Sequence, residues 1–100
     1  MRIDIVGRDI EITPAIQQYA EQKAAKLPRY FDGLQQVTIT IHRTHAHQTS
    51  EYSVEVVADV EKHADFVASG GGADLYAVLD ETVEKIGRQL KDFKEKLKKH

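Results

Sequence analysis

Apolar and polar residues along this chain switch between two periods, and each switch marks an element. Ile3 and Ile5, with Gly7 in the same phase, alternate with Arg2, Asp4 and Val6, which reads as a short first strand. Thr13-Pro14 then supplies a helix start, Thr13 as the cap and Pro14 at the first helical position, where its missing N–H costs nothing. Ile16, Tyr19, Ala20, Ala24 and Leu27 follow at helical spacing; Pro28 closes the helix within a turn, and Asp32-Gly33 marks a loop. Val37, Ile39 and Ile41 alternate with Thr38, Thr40 and His42 as a half-buried strand. After a polar break from Thr44 to Ser50, Tyr52, Val54 and Val56 repeat the pattern, so the two runs predict an antiparallel hairpin.

A third run, roughly His63 to Ser69, follows a tight connection around Glu61-Lys62, and Gly70-Gly71-Gly72 ends the sheet. Leu79, Val83, Ile86, Leu90, Phe93 and Leu97 then fall at spacings of four and three, a continuous apolar seam on one long amphipathic helix. The order is β-α-β-β-β-α, an α+β class. Alternating strands imply a four-stranded sheet with both helices on one face and the other face open. Neither an internal repeat nor a linker divides the chain, so residues 1–100 are expected to form one domain.

Composition narrows the chemistry. Hydrophobic residues at 41% and charged ones at 30% describe an ordinary globular chain and not a disordered one. The chain has no cysteine, which excludes a disulfide framework, a thiol nucleophile and every cysteine-based zinc site. No apolar run reaches the roughly 18 residues of a membrane span, and the first residues lack the layout of a signal peptide. A cytoplasmic location without membrane association is the expectation.

Charge distribution says more than net charge. From Ala73 to Glu84 every charged residue is acidic: Asp74, Asp80, Glu81 and Glu84. From residue 85 onward, Lys85, Arg88, Lys91, Lys94, Lys96, Lys98 and Lys99 face only Asp92 and Glu95, a local +5 in a chain of net −2. A helix macrodipole favours acids early and cations late, but its influence fades within a turn, and seven cations over four turns exceed that. At about 100° per residue, Lys85, Arg88, Lys96 and Lys99 lie on one flank of the seam, and Lys91, Lys94 and Lys98 on the other. The first helix adds Lys23 and Lys26, with Arg29 just beyond. If both helices cover one sheet face, their outward surfaces merge into a basic band, better suited to a phosphate backbone than to reading bases in a groove. The bland alternative is a lysine-rich, solvated tail.

Other candidates are weaker. His42, His45 and His47 invite a metal, yet no carboxylate stands at ligand spacing and a structural zinc needs about four ligands, so solvated loop histidines are the better reading. Gly70-Gly71-Gly72 before a helix resembles a phosphate loop, but Asp74 occupies the helix start and the Lys-Ser/Thr of a P-loop is missing. A flexible strand-to-helix turn explains the glycines. Ser50, Ser53, Ser69 and the histidines assemble no nucleophile with base and orienter, and Asp80 with Glu84 reads as a solvated acidic face. No enzyme, metal or cofactor is expected.

Four stretches together resemble the ribosome hibernation promoting factor family, also labelled ribosome-associated inhibitor or sigma-54 modulation protein. They are Val6-Gly7-Arg8-Asp9-Ile10-Glu11-Ile12-Thr13-Pro14-Ala15, Lys23-x-x-Lys26-Leu27-x-x-Tyr30-Phe31-Asp32, Asp74-Leu75-Tyr76-Ala77-Val78-Leu79-Asp80 and Lys85-Ile86-Gly87-Arg88-Gln89-Leu90. The resemblance runs essentially end to end. It implies a fold similar to double-stranded RNA-binding domains. It also implies binding to the small (30S) ribosomal subunit and its 16S rRNA in the decoding region, in competition with mRNA and with A- and P-site tRNA. Translation would be inhibited and idle ribosomes preserved in stationary phase or stress. Because the chain stops at Lys98-Lys99-His100, it looks like the short form, which acts with a separate ribosome modulation factor to favour inactive ribosome dimers.

Carried across by position, the family's rRNA contacts fall on Lys23, Lys26, Lys85, Arg88 and Lys94, and the neighbouring Arg29 and Lys91 extend the same surface. Asp92 stands where relatives commonly have a cation, and the three glycines stand where they have a more polar, acidic turn. Acids such as Asp80 are expected to orient neighbouring cations or to cap structure, and not to touch RNA. The rivals are a protein-interaction modulator of a transcription factor of the sigma-54 type, working through the open sheet face or the acidic early helix, and a generic double-stranded RNA binder.

Overall fold

The computed structural model describes residues 1–46 and 49–98. Strand β1 (Arg2–Arg8) leads to helix α1 (Pro14–Ala24) and a 3-10 turn (Leu27–Arg29). Strands β2 (Leu34–Ala46), β3 (Thr49–Val60) and β4 (Phe66–Gly72) follow, and helix α2 (Leu75–Lys98) closes the chain. The sheet runs β1-β2-β3-β4, with β1 parallel to β2 and the other pairs antiparallel. Helix α1 is therefore the crossover that a parallel β1–β2 pair requires.

Alternation decides which face is covered. Val37, Ile39 and Ile41 of β2, Val54, Val56, Ala58 and Val60 of β3 and Ala68 of β4 are buried. They share one core with Leu75, Val78, Leu79, Val83, Ile86 and Leu90 of α2 and Ala20, Ala24 and Leu27 of the α1 region. The intervening Thr38, Thr40, Ser53 and Glu55 point to the opposite face, which no helix covers. Helix α2 packs on β3 and β4, whereas α1 leans on β1 and on α2. Only Ala20 and Ala24 of α1 are fully buried, so that helix sits on small residues close to its neighbours.

Both helices start as the sequence predicts. Thr13 Oγ1 accepts from the Ile16 N–H at 3.2 Å, with Pro14 in the first turn. Asp74 Oδ1 accepts from the N–H groups of Tyr76 and Ala77 at 3.1 and 3.4 Å, satisfying donors that a helix start leaves open.

Three boundaries differ from the sequence reading. The polar stretch Thr44–Ser50 is not a long loop: Thr44, His45 and Ala46 pair with Glu51, Ser50 and Thr49. The centre of that break, with His47, lies outside the described residues, as does Lys99. The third run starts at Phe66 and not at His63, because residues 61–65 make the turn, with Lys62 in the left-handed region at φ 61°. Finally, Gly70, Gly71 and Gly72 are strand residues paired with Val54, Ser53 and Tyr52, and none has a positive φ.

Flexibility is therefore not why glycine stands there. A Cβ on Gly70 would lie 2.7 Å from Thr82 Oγ1, inside the contact by which α2 reaches β4, whereas one on Gly71 would meet only the Tyr52 carbonyl at 3.4 Å. Thr82 has little freedom to yield, since it is fully buried and its hydroxyl donates to the Val78 carbonyl at 2.7 Å. Gly70→Ala is expected to lower stability in urea denaturation by about 1–3 kcal/mol, the usual cost of overpacking. Gly71→Ala should stay within about 0.5 kcal/mol of the parent.

Candidate nucleic-acid interface

The seam between the helices gathers Lys23, Lys26, Arg29, Lys91, Lys94 and Lys98. Its first groove, about 310 Å³, is lined by Lys23, Lys26, Leu27, Tyr30, Asp80, Val83 and Glu84. A second cleft of about 290 Å³ continues it towards the end of α2, between Arg29, Tyr30, Lys91, Lys94, Glu95 and Lys98. Tyr30 stands between the two. Its ring rests on the α2 backbone at Gly87, where a Cβ would come within 3.1 Å of Cε2. Glycine inside a helix costs roughly 0.5–1 kcal/mol relative to alanine, and here it lets the aromatic ring lie against the helix.

The structure thus brings Lys23, Lys26, Arg29, Lys91 and Lys94 together along one line, in the arrangement that merging helix surfaces predicted. Arg88 is exposed and, by helical geometry, stands on the outer ridge of α2 between Lys85 and Lys91. Lys85 is differently engaged. Its Nζ donates to the Ser69 carbonyl at 2.8 Å, and Gln89 donates to the Val67 carbonyl at 3.1 Å. Both bonds cover β4, an edge strand whose exposed backbone would otherwise be open to another chain.

One carboxylate organises the groove. Asp80 Oδ1 accepts from the Tyr19 hydroxyl at 2.6 Å and pairs with Lys23 Nζ at 3.2 Å. The Tyr19 hydrogen bond, foremost, and then Lys23 hold the Asp80 carboxyl below its ordinary pKa despite partial burial. The same contacts raise Tyr19 and Lys23, for each of which the hydrogen bond to Asp80 is the chief cause. Lys23 also lies 5.3 Å from the Tyr19 ring centroid, and Tyr76 meets Tyr19 edge-on at 4.7 Å. Asp80 accordingly orients a cation, as the sequence leads one to expect. Sequence reasoning misses Tyr19, Tyr30 and Tyr76 as members of the site, although Tyr19 and Tyr30 flank Lys23 and Lys26 and are an available signal.

The open sheet face is chemically different. A cleft of about 490 Å³ there sets Arg8 and His42 beside Asp9 and Glu55, with His42 Nε2 3.2 Å from Asp9 Oδ2, and has no cationic excess, whereas the second helical cleft sets Arg29, Lys91, Lys94 and Lys98 against Glu95 alone. Among the described residues no group of three or more histidines, acids or cysteines is gathered as metal ligands would be. No described helix is long and apolar enough to cross a membrane.

The fold and the band define a class: a mixed α+β domain that presents a cationic, tyrosine-bearing helical face and an open sheet without cationic excess. The chain belongs to the sigma 54 modulation protein / S30EA ribosomal protein family, whose model matches residues 3–98. It is 35% identical over 100 residues, the full length of both chains, to the ribosome hibernation promoting factor of Escherichia coli K12. It is also 31% identical to the factor of that name from Azotobacter vinelandii, over 96% of this chain and 85% of that one. The crystal structure of the Thermus thermophilus Protein Y N-terminal domain superposes with a TM-score of 0.75 at 32% identity, covering 93% of this chain and 99% of that one. A ribosomal subunit interface protein from Coxiella burnetii has the same fold, with a TM-score of 0.81 at 21% identity over 95% and 99% of the two chains.

The Asp80 contacts yield a pH prediction. A carboxyl whose pKa is lower folded than unfolded adds stability that is complete above its unfolded value, about 3.9, and is lost as pH falls through the folded value. With a side chain 45% exposed, the contribution should be about 1 kcal/mol. Asp80→Asn should therefore melt below the parent at neutral pH. The gap should close under acid below about pH 4, as followed by thermal denaturation across pH.

Proposed function

We propose that this protein is a cytoplasmic ribosome hibernation factor that binds the small ribosomal subunit in its decoding region and works by occlusion. What supports the reading is the coincidence of family membership with a cationic line running across both helices. Lys23, Lys26, Arg29, Arg88, Lys91 and Lys94 neutralise 16S rRNA phosphates and displace counterions, which supplies affinity without base chemistry. Lys85 contributes through the N–H groups that its bond to Ser69 leaves free. The acids of the first half of α2 keep the rest of the surface from binding polyanions indiscriminately, so shape decides where the band docks.

A rigid body in the emptied channel excludes mRNA and the A- and P-site tRNAs, and translation stops while the ribosome remains intact. In the same reading, the domain acts beside a ribosome modulation factor to favour inactive ribosome dimers.

Sucrose-gradient co-sedimentation with vacant small subunits tests this. The protein should travel with the subunit, be displaced by mRNA with tRNA, and bind far more weakly as salt rises. Arg88→Gln with Lys91→Gln should weaken binding and flatten the logarithmic salt slope by about two, one for each phosphate no longer neutralised. Binding indifferent to mRNA, to tRNA and to salt would refute occlusion by this face.

A further inference from the structure

Phosphate contacts hold RNA but do not choose a position along it. We propose that the groove between α1 and α2 is a pocket for one unpaired guanine, stacked on Tyr30 and read by Glu84; the source of the RNA rests on the ribosomal reading above.

Every wall of the groove suits that ligand. Leu27 and Val83 give it an apolar floor, Lys23 and Lys26 stand where flanking phosphates would run, and Asp80 and Glu84 add two carboxylates one helical turn apart. Its volume of about 310 Å³ is at the small end of ligand clefts, roughly 300–1,000 Å³. Tyr30 is 40% exposed yet held against Gly87, so part of its ring is open to a ligand without the cost of ordering a free side chain. Splayed-out bases in single-stranded RNA are recognised by such stacking together with bonds to their Watson–Crick edge.

The carboxylates select among the bases. Carboxylate oxygens only accept hydrogen bonds. Guanine alone presents two adjacent donors on its Watson–Crick edge, N1–H and N2–H, which match the two oxygens of one carboxylate. Adenine and cytosine offer one amino donor beside a ring nitrogen that would face the second oxygen lone pair to lone pair. Uracil offers one N–H between two carbonyls. Asp80 Oδ1 is occupied by Tyr19 and Lys23, whereas among the described residues Glu84 has no partner on either oxygen. Glu84 is therefore the reader, and Asp80 the positioning residue that keeps Lys23 at the rim. Asp80 already serves to orient Lys23, so the carboxylate left for a base is that of Glu84.

The test titrates GMP, AMP, CMP and UMP into isotope-labelled protein and follows backbone amide shifts, alongside guanine N1/N2 chemical footprinting of small subunits. GMP should shift Leu27, Tyr30 and Glu84 and bind about tenfold more tightly than the other three, as one bidentate pair discriminates. The exposed substitution Glu84→Gln should abolish that preference, and Tyr30→Leu should weaken all binding by about tenfold by removing the stacking face. On the subunit, Glu84→Gln should leave reactive one guanine that the parent protects. Co-sedimentation with no guanine protection dependent on Glu84, or equal shifts from all four nucleotides, would overturn the pocket and leave occlusion standing. Selective GMP shifts without co-sedimentation would support the pocket and overturn the ribosomal reading.

Discussion

The approach of α2 to β4 is the constraint on which the rest of the molecule depends. The helix presents Leu75, Val78, Leu79, Val83, Ile86 and Leu90 to the sheet, and strand alternation presents Val54, Val56, Ala58 and Ala68 in return. Apolar surface alone sets no distance. Gly70 against Thr82 lets the backbones come close, and Lys85 and Gln89 then reach the carbonyls of Ser69 and Val67 and fix the helix along the sheet edge. The cations of α2 inherit their positions from this docking.

Helix α1 has a different logic. It buries only Ala20 and Ala24 completely, and its cations would drift if packing were all that held it. The link from Tyr19 and Lys23 to Asp80 ties it to α2 at the point where the two sets of cations meet. One carboxylate among lysines thus lowers their mutual repulsion and fixes the width of the groove. Where like charges must stand close to engage a polyanion, interspersed acids make the free protein tolerable, and here they also give the surface a chemical texture that phosphate binding alone would not need.

Glycine illustrates how one residue type carries unrelated demands. At position 70 it makes room for a neighbouring helix, and at 87 it seats an aromatic ring. Positive φ is met elsewhere, by Asp9 and Lys62, neither of them glycine. Assigning the triple glycine to a flexible turn applies a sound average rule in the wrong place, because close approach leaves no trace in local pattern.

Much was legible before the fold was known. The period-two runs at Val37–Ile41 and Tyr52–Val56, the period-3.6 seam from Leu79 to Leu90 and the Thr13-Pro14 cap determined strand, helix and covered face, although the same seam continues in sequence to Leu97, which the structure leaves exposed. These features arise between neighbours along the chain, where geometry is fixed by the backbone. The reversal of charge at Lys85 likewise determined that one end of α2 would be cationic, since formal charge needs no fold to exist. Tertiary structure alone decided that Lys85 would be drawn to β4, that Tyr30 would lie on Gly87, and that Lys23 would meet an acid 57 positions later in the sequence. Those pairings depend on the distance and angle at which two helices settle on one sheet, and long-range packing sets both.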